Sequence, residues 1–492
     1  MKISKHLSQN PQEAYKKMKE AGEKLARYDE SRPEYHFHAP GQWMDDPNGS
    51  IYFNGYYHIM YGANPDSDRN RGGMPYKTDL AQWDPEEPDW MEALDVWGHA
   101  RSRDLVHWEH LPISLFPNPK KDEYFIWWGF TKINREGVPT IIYTSIGYQK
   151  RPADSSEQYI AYGDSDLITW RQADELNPIL TGRIHGEKKY YEWRDPYIFD
   201  YGDSTYMILG ASDCLEGQGR GLVLLYEALS PDYSQWKFKG ELFEYPAPLR
   251  SIECPNLVRF GDKWVLFVSP HGPVEYFVGS LEPQKCRFVW ERRGVLNPST
   301  NFYATNLVFD DRGRCILFGA LEGFENTCGW NGAAALPRIV NLNFQGELTQ
   351  VPAPEIRKLR ALEHEWCKER QIFHKTGTFE TEITFETGDW GAVTFTYGEE
   401  SFTVWFGDSG ILAGNYRLDL KSGAGIQKIK VFFDKSVMEL FVDDNQSIAV
   451  LIPVCTGNCC VDGKSEKETL KIRSWDYDTA SLFTYYDEKE KV

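Results

Sequence analysis

At 492 residues the chain is long enough for two domains of ordinary size, each with its own core. Its net charge of −19 excludes nucleic acid and anionic membrane surfaces as partners, because both need a basic face. The aromatic share of 15% suits a β architecture and sites that stack on sugar rings, though core packing explains most of it, and a neutral small molecule fits better as the partner.

The start, Met1-Lys2-Ile3-Ser4-Lys5-His6, is charged with no apolar run behind it, and no stretch reads as a membrane span; the expected location is the cytoplasm. The nine cysteines are odd in number and lack metal-ligand spacing, which argues for reduced thiols. Even the Cys455, Cys459 and Cys460 cluster has no His nearby.

Residues 1–32 form a helical arm. Asn10 can cap a helix over 11–27, Pro11 suits its first position, and Ala14, Met18, Ala21 and Leu25 share one face. After Pro33 short apolar runs broken by Gly, Asp and Asn take over, an all-β signature. One unit recurs there, a strand, a tight turn and a second strand. Its five copies are Ser50–Gly62, Gly129–Ser145, Tyr197–Ala211, Asn256–Pro270 and Asn306–Ala320, turning at Gly55, Gly137, Gly202, Gly261 and Gly313. An Asp-x-x-x-Trp echo follows the same period at Asp104–Trp108, Asp166–Trp170 and Asp232–Trp236, with an out-of-phase copy at Asp79–Trp83. Five such units predict a five-bladed β-propeller over residues 33–351. A linker at 352–360 leads into a C-terminal β-sandwich at 361–492. Its strands are expected at Phe379–Phe385, Ala392–Tyr397, Ser401–Phe406, Ile429–Phe433, Met438–Val442 and Ile448–Pro453.

Three of the five units begin with a carboxylate just ahead of a proline: Asp46 before Pro47, Asp195 before Pro196, and Glu253 two residues before Pro255. Taken singly, each reads as a turn opening. Taken in phase, they occupy equivalent places in different blades and converge at one end of the central channel. Converging carboxylates suit glycoside cleavage, in which one protonates the leaving oxygen and another attacks from the sugar's other side. No Asp/Asn run with calcium-loop spacing accompanies them.

Trp43-Met44-Asp45-Asp46-Pro47-Asn48-Gly49 resembles the WMNDPNG motif of the invertase and fructanase enzymes, glycoside hydrolase family 32. Trp97–Ala100 and Asp104–Pro112 are similar to the family's WGHA and DLVHWEHLP stretches. Glu192–Pro196 resembles its RDP motif, Glu253–Pro255 its ECP motif and Asn301–Ala304 its FYA stretch. Leu336–Arg338 and Asp434–Phe441 carry the likeness into the C-terminal half.

The resemblance implies a propeller followed by a sandwich, and an exo-acting β-fructofuranosidase that retains configuration. Asp46 would be the nucleophile, Glu253 the acid/base, and Asp195 with Arg194 the clamp on the ring hydroxyls. Trp43, Asp45, Asn48, Trp127, Trp128, Phe130 and Tyr303 would line the sugar pocket, and neither metal nor cofactor is implied.

Asp45 departs from the motif's Asn, Gly62 stands where Gln is common, Asn256 replaces the Asp of ECPD, and the acidic stretch 66–96 with Trp90 is unusually long. Some of these residues also have plainer readings. His99 and His107 read as structural imidazoles, Trp128 as core or sugar platform, and the acidic stretch as a solvated loop. A fructosyltransferase, an arabinan-type furanosidase and an inactive sugar-binding propeller remain as alternatives.

Overall fold

The N-terminal helix spans Pro11–Tyr28, and the Glu13 amide donates to the Asn10 side chain at its cap. Its buried face is Ala14, Met18, Gly22 and Leu25. Gly22 takes the place expected of Ala21 because the helix presses on the Pro40 carbonyl: a Cβ at position 22 would lie 2.4 Å from that oxygen. The computed structural model describes residues 7–68, 94–147, 152–325, 329–408, 410–420 and 425–487, with no description of the residue 152 side chain. The Asp79–Trp83 echo and most of the acidic stretch, Trp90 included, lie outside them. Among the described residues no helix is long and apolar enough to cross a membrane.

Five antiparallel sheets follow one another along the chain as blades I to V. Their innermost strands are Gln42–Phe53, Glu123–Ile133, Tyr191–Tyr201, Glu253–Phe260 and Phe302–Phe309. Each touches the next and the fifth returns to the first, which closes the ring of a propeller. The tight turns predicted at Gly55, Gly137, Gly202, Gly261 and Gly313 all join a first strand to a second, and all five glycines have positive φ.

The Asp-x-x-x-Trp echo is the turn from third to fourth strand. Leu105, Leu167 and Tyr233 are left-handed there, with φ of 62°, 60° and 64°. The Trp170 and Trp236 ring N–H groups donate back to the carbonyls of Leu167 and Tyr233. Asp104 and Asp232 accept from backbone amides in their turns, and in blade II Asp164 accepts from the amides of Ile168 and Thr169.

The sandwich packs two six-stranded sheets over a core that includes Phe379, Ile383, Phe395, Val431 and Leu440. Five of the six expected strands fall within observed ones, beginning with Thr378–Glu386 and Gly391–Tyr397, while the sixth runs over Gln446–Leu451 and stops short of Pro453. Phe483–Tyr485 leaves it and pairs in parallel with the outer strand Trp108–Leu115 of blade I.

A buried ionic cluster joins the two units. His36 Nδ1 lies 2.8 Å from Asp434 and its Nε2 3.1 Å from Glu439, while Arg338 pairs with the same Glu439. Burial opposes charge on His36, but the bonds to Asp434 and Glu439 outweigh it and raise its pKa to about 9. Loss of one member would leave a buried charge unpaired, so these motif residues hold the junction.

Candidate active site

The carboxylate-proline pattern has a mechanical cause. Each innermost strand breaks register with its neighbour near one end: between Met44 and Pro47, Ile126 and Gly129, Arg194 and Tyr197, Glu253 and Asn256, and Tyr303 and Thr305. Pro196 and Pro255 fall inside these bulges, where a missing N–H breaks no ladder bond, and Pro47 bounds the first, opposite Tyr61. Asp195, Cys254 and Ala304 adopt positive φ of 66°, 44° and 36° at the same level. The bulges re-aim side chains toward the axis, and this strained backbone surrounds the pocket.

The pocket is a cavity of about 370 Å³. It brings together Trp43, Asp45, Asp46, Asn48, Trp127, Trp128, Arg194, Asp195, Glu253 and Tyr303, all candidates from sequence. Phe130 is the correction. The blade II bulge turns Trp127 and Trp128 into the pocket, and Phe130 falls below it, packed on Tyr197 with ring centroids 4.3 Å apart. Trp128 is both core and wall, since its ring N–H donates to the Pro47 carbonyl at 3.1 Å while the ring faces the cavity. Asn256 is bound to the Cys254 and Thr305 carbonyls and only supports the bulge. His99 is buried against His58, and His107 pairs with Asp104 on an exposed turn.

Within the pocket, the Cys254 thiol lies 3.8 Å from Asp46 Oδ2 and 3.7 Å from Asp195 Oδ2, between the two carboxylates. The Cys254 amide also donates to Asp195 at 2.8 Å. Arg194 pairs with Glu192 and Glu253, and Arg250 takes the other oxygen of Glu192. Tyr303 donates to Glu253 Oε2 at 2.6 Å, and His271 Nδ1 lies 3.5 Å from the same oxygen.

These contacts set the charges. Burial would raise Glu253, but Arg194, His271 and Tyr303 together hold it at about 2. Burial carries Asp195 to about 6 against the pull of Arg194 and the Cys254 amide. Asp46 stands well above the usual carboxylate range, through burial first and then the charges of Asp45, Glu322, Glu253 and Asp195.

Two further carboxyls crowd Asp46. The bulge overrides strand alternation and puts the Asp45 and Asp46 carboxyls on one side, within 4.8 Å of each other and of Glu322. Gly62 leaves room for this, because a Cβ there would come 2.9 Å from the Asp45 Cβ. Glu322 escaped sequence reading, since it follows the second strand of blade V, Cys315–Leu321, with no proline to mark it. Asp95 joins the lining as well. A His364, His374 and Asp476 group of metal-ligand type lies in the sandwich, outside this lining, and its nitrogens are already bonded to Asp476 and Ser474.

The chain is similar to known proteins in sequence and fold. The chain is 26% identical over 469 residues to a sucrose-6-phosphate hydrolase of Escherichia coli, covering 85% of this chain and 88% of that one. It is 27% identical over 495 residues to a levanase of Bacillus subtilis, covering 86% and 66%. A β-fructofuranosidase structure from Bombyx mori superposes with a TM-score of 0.76 at 24% identity, covering 95% of this chain and 99% of that one. The sequence signature described as "Glycosyl hydrolases family 32 N-terminal domain" matches residues 36–88 and 80–352, the greater part of the chain. This protein therefore belongs to glycoside hydrolase family 32 and is a glycoside hydrolase.

Proposed function

We propose that the protein is an exo-acting β-fructofuranosidase that releases fructose, with retention, from a short substrate such as sucrose, a fructo-oligosaccharide or a fructobiose. The observation that carries this reading is the meeting of Asp46, Asp195 and Glu253 in one small cavity at the end of the propeller channel. The relatives named as β-fructofuranosidase, sucrose-6-phosphate hydrolase and levanase support the same chemistry.

Glu253 gives its proton to the glycosidic oxygen while Asp46 attacks C2 of the fructosyl unit, so the C–O bond breaks as an ester forms. Glu253 then takes a proton from water, and the water oxygen displaces Asp46. Asp195 and Arg194 bind ring hydroxyls and favour the oxocarbenium-like transition state, and Trp43 and Trp127 offer apolar faces to the ring. A small cavity of about 370 Å³ at one end of the propeller suits removal of one terminal unit. The reaction is assigned to the propeller, residues 33–351, with the sandwich at 361–492 as its support. Unpaired thiols throughout the described residues favour the cytoplasm.

A panel of sucrose, fructo-oligosaccharides and polymeric fructan tests this reading. Free fructose is expected from the short substrates. Accumulation of longer oligosaccharides would make the protein a transferase, and no release from any fructoside would defeat the proposal.

A further inference from the structure

Hydrogen-bond donors are spread unevenly over the two reacting carboxyls. Glu253 has both oxygens met, one by the Arg194 guanidinium and the other by the Tyr303 hydroxyl at 2.6 Å, with His271 Nδ1 at 3.5 Å. Such a carboxyl is built to be an anion. Asp46 stands in the opposite setting. Its Oδ1 is enclosed without a donor, its Oδ2 meets the weak Cys254 thiol at 3.8 Å, and the Asp45 and Glu322 oxygens lie within 4.8 Å. Carboxyls this close resist ionising together, so a proton is favoured among them.

On the reading that this pocket cleaves fructosides, we propose that the unliganded enzyme holds its catalytic proton between Asp46 and Glu322, and that this proton passes to Glu253 when substrate enters. Glu322 is then a positioning residue that acts through Asp46. It lines the cavity at the end of Cys315–Leu321, with its carboxyl turned to Asp46.

The charged groups facing the pair support this assignment. Asp45 shares its strand, Asp195 comes from blade III, Glu253 and the Cys254 thiol from blade IV, and Asp95 completes the lining, all anionic or neutral. The nearest basic side chains, Arg194 and His271, are both turned to Glu253. The Glu322 side chain is exposed, yet loss of hydration about its carboxyl, and then the charge of Glu253, raise it to about 7, while Glu253 is held at about 2.

The transfer balances without any added reactant. One O–H bond breaks on the Asp46–Glu322 pair and one forms on Glu253, and the net charge of the site is unchanged. Arg194 lets go of Glu253 and keeps Glu192. Fructosyl hydroxyls supply the donors that ionised Asp46 then needs, so substrate itself favours the shift. Asp46 is freed to attack at the moment Glu253 becomes able to protonate.

The test is the pH profile of kcat/KM, which reports the ionisations of the free enzyme. Glu322→Gln removes the site that stores the proton and the carboxyl that crowds Asp46. The last catalytic proton is then lost at lower pH and Asp46 ionises at lower pH, so both limbs move toward acid, by about one pH unit or more. Glu322→Asp keeps a carboxyl, and its profile should stay nearer that of the unaltered protein at reduced height. A merely structural role would lower the curve without moving it. If the Gln profile stays in place or moves toward alkali, the proposal is overturned. Infrared difference spectra of the unliganded proteins at pH 6 give a reading independent of turnover. Loss of one protonated-carboxyl band in Glu322→Gln is expected, and its persistence would overturn the proposal even if that variant were too slow to profile. Absence of fructose release from the unaltered protein at every pH would instead defeat the assigned reaction.

Discussion

Asp46→Asn is expected to lower kcat/KM on sucrose by roughly ten-thousandfold or more, while the protein folds as before. The amide matches the carboxylate in shape and fits the same bulge between Met44 and Pro47. It cannot form the ester, however, and only slow direct attack by water remains. Folding should tolerate the change because no backbone or basic group depends on Asp46: Oδ1 has no donor, and its neighbours are the Cys254 thiol and the Asp45 and Glu322 carboxyls. Removing a carboxyl from a crowded acidic pocket relieves repulsion, so the thermal midpoint should be unchanged or higher. A well-folded Asp46→Asn protein with kinetics within about tenfold of the original would take Asp46 out of the reaction.

Glu253→Gln should behave differently according to leaving group. On sucrose the loss is expected at about a hundred- to ten-thousandfold, the usual worth of a positioned general acid. On a β-fructofuranoside with a nitrophenolate leaving group the first step needs no proton, so it should be nearly spared. The intermediate then accumulates, because water lacks its base. Added azide needs no base and should restore turnover as a fructosyl azide. Equal losses on both substrates would show that Glu253 acts mainly through Arg194 and Tyr303, which bond to it, and not by carrying the proton.

The legible and illegible parts of the site differ for physical reasons. Asp46, Asp195 and Glu253 could be found because proline survives in an inner strand only where a bulge frees its position, and bulges recur at one level in every blade. The same bulges misled the reading of Phe130, since a break in register ends the simple alternation that would have kept Phe130 with Trp128. Glu322 lies at the end of a second strand, off the repeating pattern, and reaches Asp46 only through the closure of the ring. Leu336–Arg338 and Asp434–Phe441 were visible as motifs, but their use was not. His36, Arg338, Asp434 and Glu439 meet across the domain junction at separations no local pattern records. The parallel pairing of Phe483–Tyr485 with blade I is likewise a long-range contact of a very short strand. Gly22 stands where Ala21 was expected because a backbone carbonyl, invisible to periodicity, closes on the helix.

The configuration of the first fructose released tests the central claim most directly. Two displacements through a fructosyl ester on Asp46 give net retention, whereas a single attack by water gives inversion. NMR spectra taken in the first minutes, before mutarotation, should show the β anomer of fructofuranose appearing first. An initial α anomer would contradict the account, because Asp46 would then be the base that activates water.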